Sequence, residues 1–309
     1  LFCKSPGLYR CMATREGNPT GRPEDEAARS YDQTFVILGL VTWNAVFPSE
    51  KTLNLIEECW EAITTTLTDT KTGLLLNDDL GTNLIPAQNP HMHLYEACLQ
   101  AYRMTSGAVW LDRAKDFRAK GVRHFMDQKS GSIAEFITPE LQPFAGAEGM
   151  RREVGHQCEW AWLMLEEADL AKNPTLKTTA ARLMAFANKS GFAENGLLEG
   201  AAFDAVSTDN IVVENSFLLW PQTEAIKIFA VQHTMGDAQA GERARNLMCL
   251  MFDQWFEQRP SYVNRLDPEG QTLWAEALTR LMYHVVLAMP EGGKAGLWPS
   301  IPNITDAQD

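Results

Sequence analysis

The sequence predicts an all-α protein of repeated helical hairpins, an (α/α)6 barrel that lacks about three N-terminal helices. Three observations lead there. Apolar residues recur at three- and four-residue spacing over nine stretches, 31–47, 51–68, 93–105, 108–127, 156–171, 175–190, 217–235, 238–257 and 274–289. Glycine-led segments open at Gly7, Gly73, Gly131 and Gly196, about 60 residues apart, so a pair of helices lies between each. Clusters of polar and aromatic residues fall near the start of one helix in each pair.

Taken in order, Gly7-Leu-Tyr-Arg precedes the helices at 31–47 and 51–68. The segment Gly73-Leu-Leu-Leu-Asn-Asp precedes 93–105 and 108–127. Gly131-Ser-Ile-Ala-Glu-Phe then leads into 156–171 and 175–190, and Gly196-Leu-Leu-Glu-Gly into 217–235 and 238–257. A last break at Tyr262-Val-Asn-Arg-Leu-Asp, with Pro268-Glu-Gly270, precedes 274–289. A hairpin of this length cannot bury its apolar face alone and must stack on its neighbours. An open solenoid would spread the polar clusters along a concave face, whereas a closed ring would gather them at its mouth, and the clusters favour the ring. Twelve helices are needed and about nine are present, and the first residue is not Met, so the chain reads as one truncated catalytic domain over residues 1–309.

Composition narrows the functions. Of 309 residues, 45% are hydrophobic and 22% charged, which suits an ordinary globular chain. Lys and Arg number 27 against 40 Asp and Glu, a net charge of −13 that disfavours nucleic acid or an anionic membrane as partner. No apolar run has the length of a signal peptide or a membrane span. The six cysteines form no Cys-x-x-Cys pair, as expected of reduced thiols in the cytoplasm. The oligomeric state stays open, a homodimer among the options.

Four clusters can carry chemistry. In Gly155-His156-Gln157-Cys158-Glu159-Trp160, His156 and Glu159 share a helix face, and a carboxylate beside an imidazole prepares a general base. Asn89-Pro90-His91-Met92-His93-Leu94-Tyr95-Glu96 repeats the spacing at His93 and Glu96, with Asn89 as a helix cap and His91 as an incidental histidine of the capped helix. Trp220-Pro221-Gln222-Thr223-Glu224 joins an apolar plate to polar partners, the composition of a sugar site. Arg280 stands one turn before His284 on a predicted helix, where it can donate to a substrate oxygen. Neither His-x-x-Glu unit carries a specific metal-ligand spacing, so no metal and no other cofactor is expected. There is no phosphate loop and no Gly-x-Ser-x-Gly.

Taken together, Ser30-Tyr31-Asp32-Gln33, Gln88-Asn89-Pro90-His91-Met92-His93-Leu94-Tyr95-Glu96, Gly155-His156-Gln157-Cys158-Glu159-Trp160, Trp220-Pro221-Gln222-Thr223-Glu224 and Tyr283-His284 resemble the N-acylglucosamine 2-epimerase family. The variants are most like those of its mannose isomerase and mannose-6-phosphate-isomerase-like members. The resemblance implies an (α/α)6 barrel, no catalytic metal, and a small sugar as substrate. It implies His284 as the base that takes the C2 proton, and His156, held by Glu159, for ring opening or reprotonation. Tyr31, Asn89, His93, Glu96, Trp220, Gln222, Glu224 and Arg280 are expected to bind substrate. The reaction expected is interconversion of mannose and fructose through a cis-enediolate. The alternatives are a 2-epimerase, a glycoside hydrolase drawing on Glu96, Glu159 and Glu224, and an inactive sugar-binding repeat protein.

Overall fold

A computed structural model describes residues 2–300. Its helices are α1 (Ser30–Val46), α2 (Glu50–Thr66), α3 (Gln88–Thr105), α4 (Ala108–Phe125), the single turn α5 (Gly146–Met150), α6 (Val154–Leu170), α7 (Leu176–Ser190), α8 (Leu219–Thr234), α9 (Ala238–Leu250) and α10 (Met282–Lys294). None of the described helices is long and apolar enough to cross a membrane. The chain divides into two compact units, Leu1–Met126 with Ala134–Gly149, and Asp127–Ile133 with Met150–Asp309.

In the first unit α1 packs on α2 and α3, and α3 packs on α4. In the second, α6 packs on α7 and α8, and α8 packs on α9 and α10. Within each unit, one helix of the leading hairpin thus meets the element that follows while the other covers it. The covering helices α2, α4, α7 and α9 bury a single stripe, as amphipathic helices do. By contrast α3, α6 and α8 are buried on most sides, and each carries titratable groups into that interior. Capping follows local chemistry: Ser49 Oγ accepts from Thr52 N–H at the start of α2, and Asp237 does the same for Ala240 N–H at α9.

One side-chain device recurs four times. Gln33 accepts from the Tyr9 N–H (3.0 Å) and donates to the Tyr9 carbonyl (2.8 Å). Gln157 treats Ile133 in the same way, at 2.7 and 3.0 Å, and Gln222 treats Ala202 at 2.7 and 2.9 Å. His91 accepts from Leu75 N–H through Nε2 at 2.9 Å. Each of the four side chains also reaches the carbonyl four residues back in the chain, at Arg29, Glu153, Leu218 and Ala87. All are fully buried, and the segments they hold follow Gly7, Gly73, Gly131 and Gly200, whose φ values are positive. The glycine repeat therefore marks short extended segments, each latched to the helix that follows, except that the fourth segment opens at Gly200 and not at the Gly196 read from the sequence. Gly7 has a further reason to be glycine, because a Cβ there would lie 2.1 Å from the Glu58 carbonyl oxygen.

Two sequence expectations are corrected here. The final helix begins at Met282 and not at 274, because Thr272–Trp274 pairs as a strand with Arg265–Leu266. A β-branched and aromatic run directly after the turn at Gly270 suits that pairing. Asn89 is not the cap of α3: the helix starts at Gln88 with Ala87 before it, so Asn89 and Pro90 lie inside the first turn. Proline is tolerated there because N–H groups in the first turn have no helical partner.

Candidate active site

The second unit brings together residues from α6, α8 and α10. His284 Nδ1 lies 2.6 Å from Glu224 Oε1, with both side chains buried. Glu224 Oε2 in turn lies 2.6 Å from the ammonium of Lys227, which is wholly buried. Lys227 sits 3.8 Å above the centre of the Trp162 ring, a cation–π contact out of water. Burial works to raise the Glu224 carboxyl, yet Lys227 and His284 together hold it below the ordinary carboxylate range. An ionised Glu224 accepting from Nδ1–H fixes the His284 tautomer and leaves Nε2 as the basic nitrogen.

Trp220 packs against two histidines of this unit, His156 and His284. Its ring centre is 4.8 Å from that of His156 and 5.7 Å from that of His284. Glycine at 155 allows this, since a Cβ there would come within 2.4 Å of the Trp220 ring. Position 155 immediately precedes His156, so the close approach of α6 and α8 seats the aromatic plate beside the imidazole.

Several expected residues take other places. His156 Nδ1 faces Glu153 at 3.2 Å, not Glu159. Side chains on a helix lean towards its N-terminus, and the residue three before His156 is this glutamate. Glu159 is fully buried, with its carboxylate close to the Glu224 carboxylate and the His284 imidazole. Gln222 has its amide committed to the backbone of Ala202 and Leu218, so it belongs to the scaffold and not to a sugar contact. Arg280 is exposed on the turn Thr279–Leu281 before α10 and not one helical turn behind His284.

In the first unit, His93 Nδ1 meets Glu96 Oε2 at 3.1 Å, and both are buried. Tyr31 and Phe35 of α1 place their ring centres 5.1 Å from the His93 ring. Asn89 Oδ1 is buried with no hydrogen-bond partner among the described residues, a free acceptor beside this cluster in sequence. His91 is structural, and its burial pushes the imidazole down to about 4.

The ligand atoms of Glu159, Glu224 and His284 lie within 4.8 Å of one another, near enough to be considered for a cation. The donor set argues otherwise: the two Glu224 oxygens already face an imidazole and an ammonium, and Lys227 supplies the compensating positive charge. Sequence reasoning missed Glu153, Gly155 and Lys227. The signal for the last was present, a lone lysine three residues after Glu224 in the apolar run Ala225-Ile226-Lys227-Ile228-Phe229.

A helical-hairpin chain in which His156 and His284 are each met by a carboxylate and share one tryptophan neighbour has the equipment for proton transfer on a polar, ring-shaped molecule. Comparison gives the class its name: residues 5–288 match the N-acylglucosamine 2-epimerase (GlcNAc 2-epimerase) model, and the chain belongs to that family. It is 29% identical over 231 residues to a mannose-6-phosphate isomerase of Rhizobium meliloti (strain 1021), covering 74% of this chain and 57% of that protein. It is 29% identical over 230 residues to a D-mannose isomerase of Thermobifida fusca, covering 71% and 52%. The chain thus spans little more than half the length of either relative. A crystal structure of D-mannose isomerase superposes with a TM-score of 0.76 at 20% identity, over 91% of this chain and 77% of that one, which shows a shared fold.

Proposed function

We propose that the protein is a sugar isomerase that interconverts a mannose-type aldose and its ketose through a cis-enediolate. The observation that carries this reading is the buried Glu224–His284 pair with its tautomer fixed, standing beside Trp220. His284 Nε2 takes the proton from C2 of the open-chain aldose, and the C2 electron pair joins C1 to form the enediolate. His284 then delivers the proton to C1 while the O2 hydroxyl proton passes to O1, and C2 becomes the carbonyl of the ketose. Sugar C2 protons are weakly acidic, so the base must be neutral near pH 7 and fixed in direction, which the Glu224 contact supplies. Trp220 offers an apolar face to the C–H side of the sugar.

In the first unit, Tyr31, Asn89, His93 and Glu96 are proposed as sugar-binding positions, a reading supported by the free Asn89 acceptor and the aromatic surround of His93. Family membership supports reading the hairpins as parts of an (α/α)6 barrel. His156, a second imidazole beside Trp220, favours one second reading, a 2-epimerase, in which His156 returns the proton to C2 from the opposite face.

Proton NMR of mannose, mannose 6-phosphate and glucose in deuterated water tests the proposal. Fructose or its phosphate appearing with deuterium at C1 is the expected result, and deuterium at C2 of an epimer would establish the second reading. His284→Ala should abolish exchange. Exchange at the full rate in that variant would remove His284 as the base, and absence of exchange in the wild type with all three sugars would remove the isomerase reading for them.

A further inference from the structure

Lys227 is the largest unexplained expense in the core of the second unit. A lysine with no exposed surface is strongly disfavoured unless paired, and replacing a buried ion pair with apolar residues is often neutral for stability. Its ammonium meets Glu224 at 2.6 Å on the oxygen that does not face His284, and the Trp162 ring closes the other side at 3.8 Å. Three groups in line, ammonium, carboxylate and imidazole, thus run from α8 to α10.

We propose that Lys227 is a positioning residue for proton transfer: its ammonium keeps Glu224 anionic and oriented, so that His284 carries its proton on Nδ1 and presents a neutral Nε2. This rests on the assignment of His284 as the base. The charged or titratable neighbours are few. From α6, Glu159 and Cys158 face Glu224, and burial pushes the Cys158 thiol up, keeping it neutral. From α9, Arg243 acts on Cys158 while stacking 3.9 Å over Phe229. From α10 come His284 itself and Tyr283, whose ring centre is 4.0 Å from that of His284. Of the groups that hold the Glu224 carboxyl down, Lys227 has the largest effect, ahead of His284.

The register of the helices supports the assignment. Counting from each latch residue, Glu224 and Lys227 stand two and five places on from Gln222, and His93 and Glu96 stand two and five places on from His91. In both helices the side chain five places on meets the one two places on, with opposite charge type. The same pairing device is used in both, and in α8 it polarises a carboxylate that already holds an imidazole.

The sign of the effect follows. With Lys227 present, its ammonium balances the Glu224 carboxylate and His284 stays neutral beside the pair. Without the ammonium, the buried anion binds a proton more tightly, and the Glu224–His284 pair stays protonated to higher pH. In Lys227→Met, NMR titration of the His284 imidazole should show its apparent pKa raised by about 1 unit or more, the range for loss of one close charge. The acidic limb of the kcat profile for hydrogen exchange should rise with it, and activity should recover at alkaline pH, which simple packing damage would not allow. Lys227→Arg should keep the wild-type limb. An unchanged His284 titration in Lys227→Met overturns the proposal. Should that variant fail to fold, the wild-type protein decides through the 15N resonance of Lys227: an ammonium persisting through pH 9 supports the role, and a neutral amine refutes it. Absence of exchange in the wild type would remove the isomerase reading, and the two NMR measurements would still decide whether Lys227 governs the protonation of the pair.

Discussion

The two His-x-x-Glu units, His93–Glu96 in α3 and His156–Glu159 in α6, have the same spacing and different outcomes. In α3 the imidazole meets the glutamate three residues on. In α6 it meets Glu153, three residues back, and Glu159 turns to the Glu224–His284 group. Two causes are visible. The residue three before His93 is Pro90, which offers no polar side chain, whereas the residue three before His156 is a glutamate. The units also sit in different registers. Relative to the latches His91 and Gln157, His93 is two places on but His156 is one place back. The residue of α6 that corresponds to His93 is Glu159, and in α8 it is Glu224. Spacing within a motif fixes which side chains share a face, while the latch fixes which way that face looks.

The largest effect on this comparison is expected at position 155, where α6 has glycine and α3 has Asn89 two places before its latch. Gly155→Ala places a methyl group against the Trp220 ring and should cost about 100-fold in exchange rate, the scale of a misplacement of 1 Å, as measured by deuterium incorporation. Next come the rival carboxylates. Glu153→Gln removes the group facing His156 and should lower the His156 imidazole pKa by NMR titration, whereas Glu159→Gln should leave His156 nearly unmoved. The reverse ranking would restore Glu159 as the partner of His156.

The smallest effect concerns stability alone. His91 is the one latch that can titrate, and its imidazole is pushed down to about 4 from an ordinary 6.5 by burial. Above pH 6.5 it is neutral folded or unfolded and costs nothing. As pH falls from 6.5 towards 4 the unfolded chain takes up a proton that the folded chain refuses, so stability declines across that window. His91→Gln copies the other three latches and should flatten this decline, read as denaturation midpoints at pH 7 and pH 5, with the gain confined to pH 5.

Much of this was legible in the sequence, for reasons particular residues make plain. The stretches at 51–68, 108–127 and 175–190 match α2, α4 and α7 within two residues at either end, because one-sided burial writes a clear period. The sequence stretch begins five residues after the true start of α3, since Gln88, Pro90 and His91 are all buried and show no apolar stripe. The histidines, Trp220 and Glu224 declared themselves by composition. What stayed hidden depends on register or on backbone: Glu153 as the partner of His156, Lys227 behind Glu224, Gly155 under Trp220. Gln222 misled for the opposite reason, because an amide that can hold two sugar hydroxyls can equally well hold one peptide group.

The four latches have a consequence for ancestry. Each joins a helix only to the strand-like piece that leads into it, with 16 to 24 residues between the two ends. Every hairpin thus carries its own clasp, made from its own stretch of chain, and owes nothing for it to the hairpins on either side. Duplicating such a stretch copies the clasp intact. Exchanging glutamine for histidine in one copy leaves the others unaffected, and the residues around the clasp are free to diverge into base, binding surface or filler while the register that aims them is inherited unchanged.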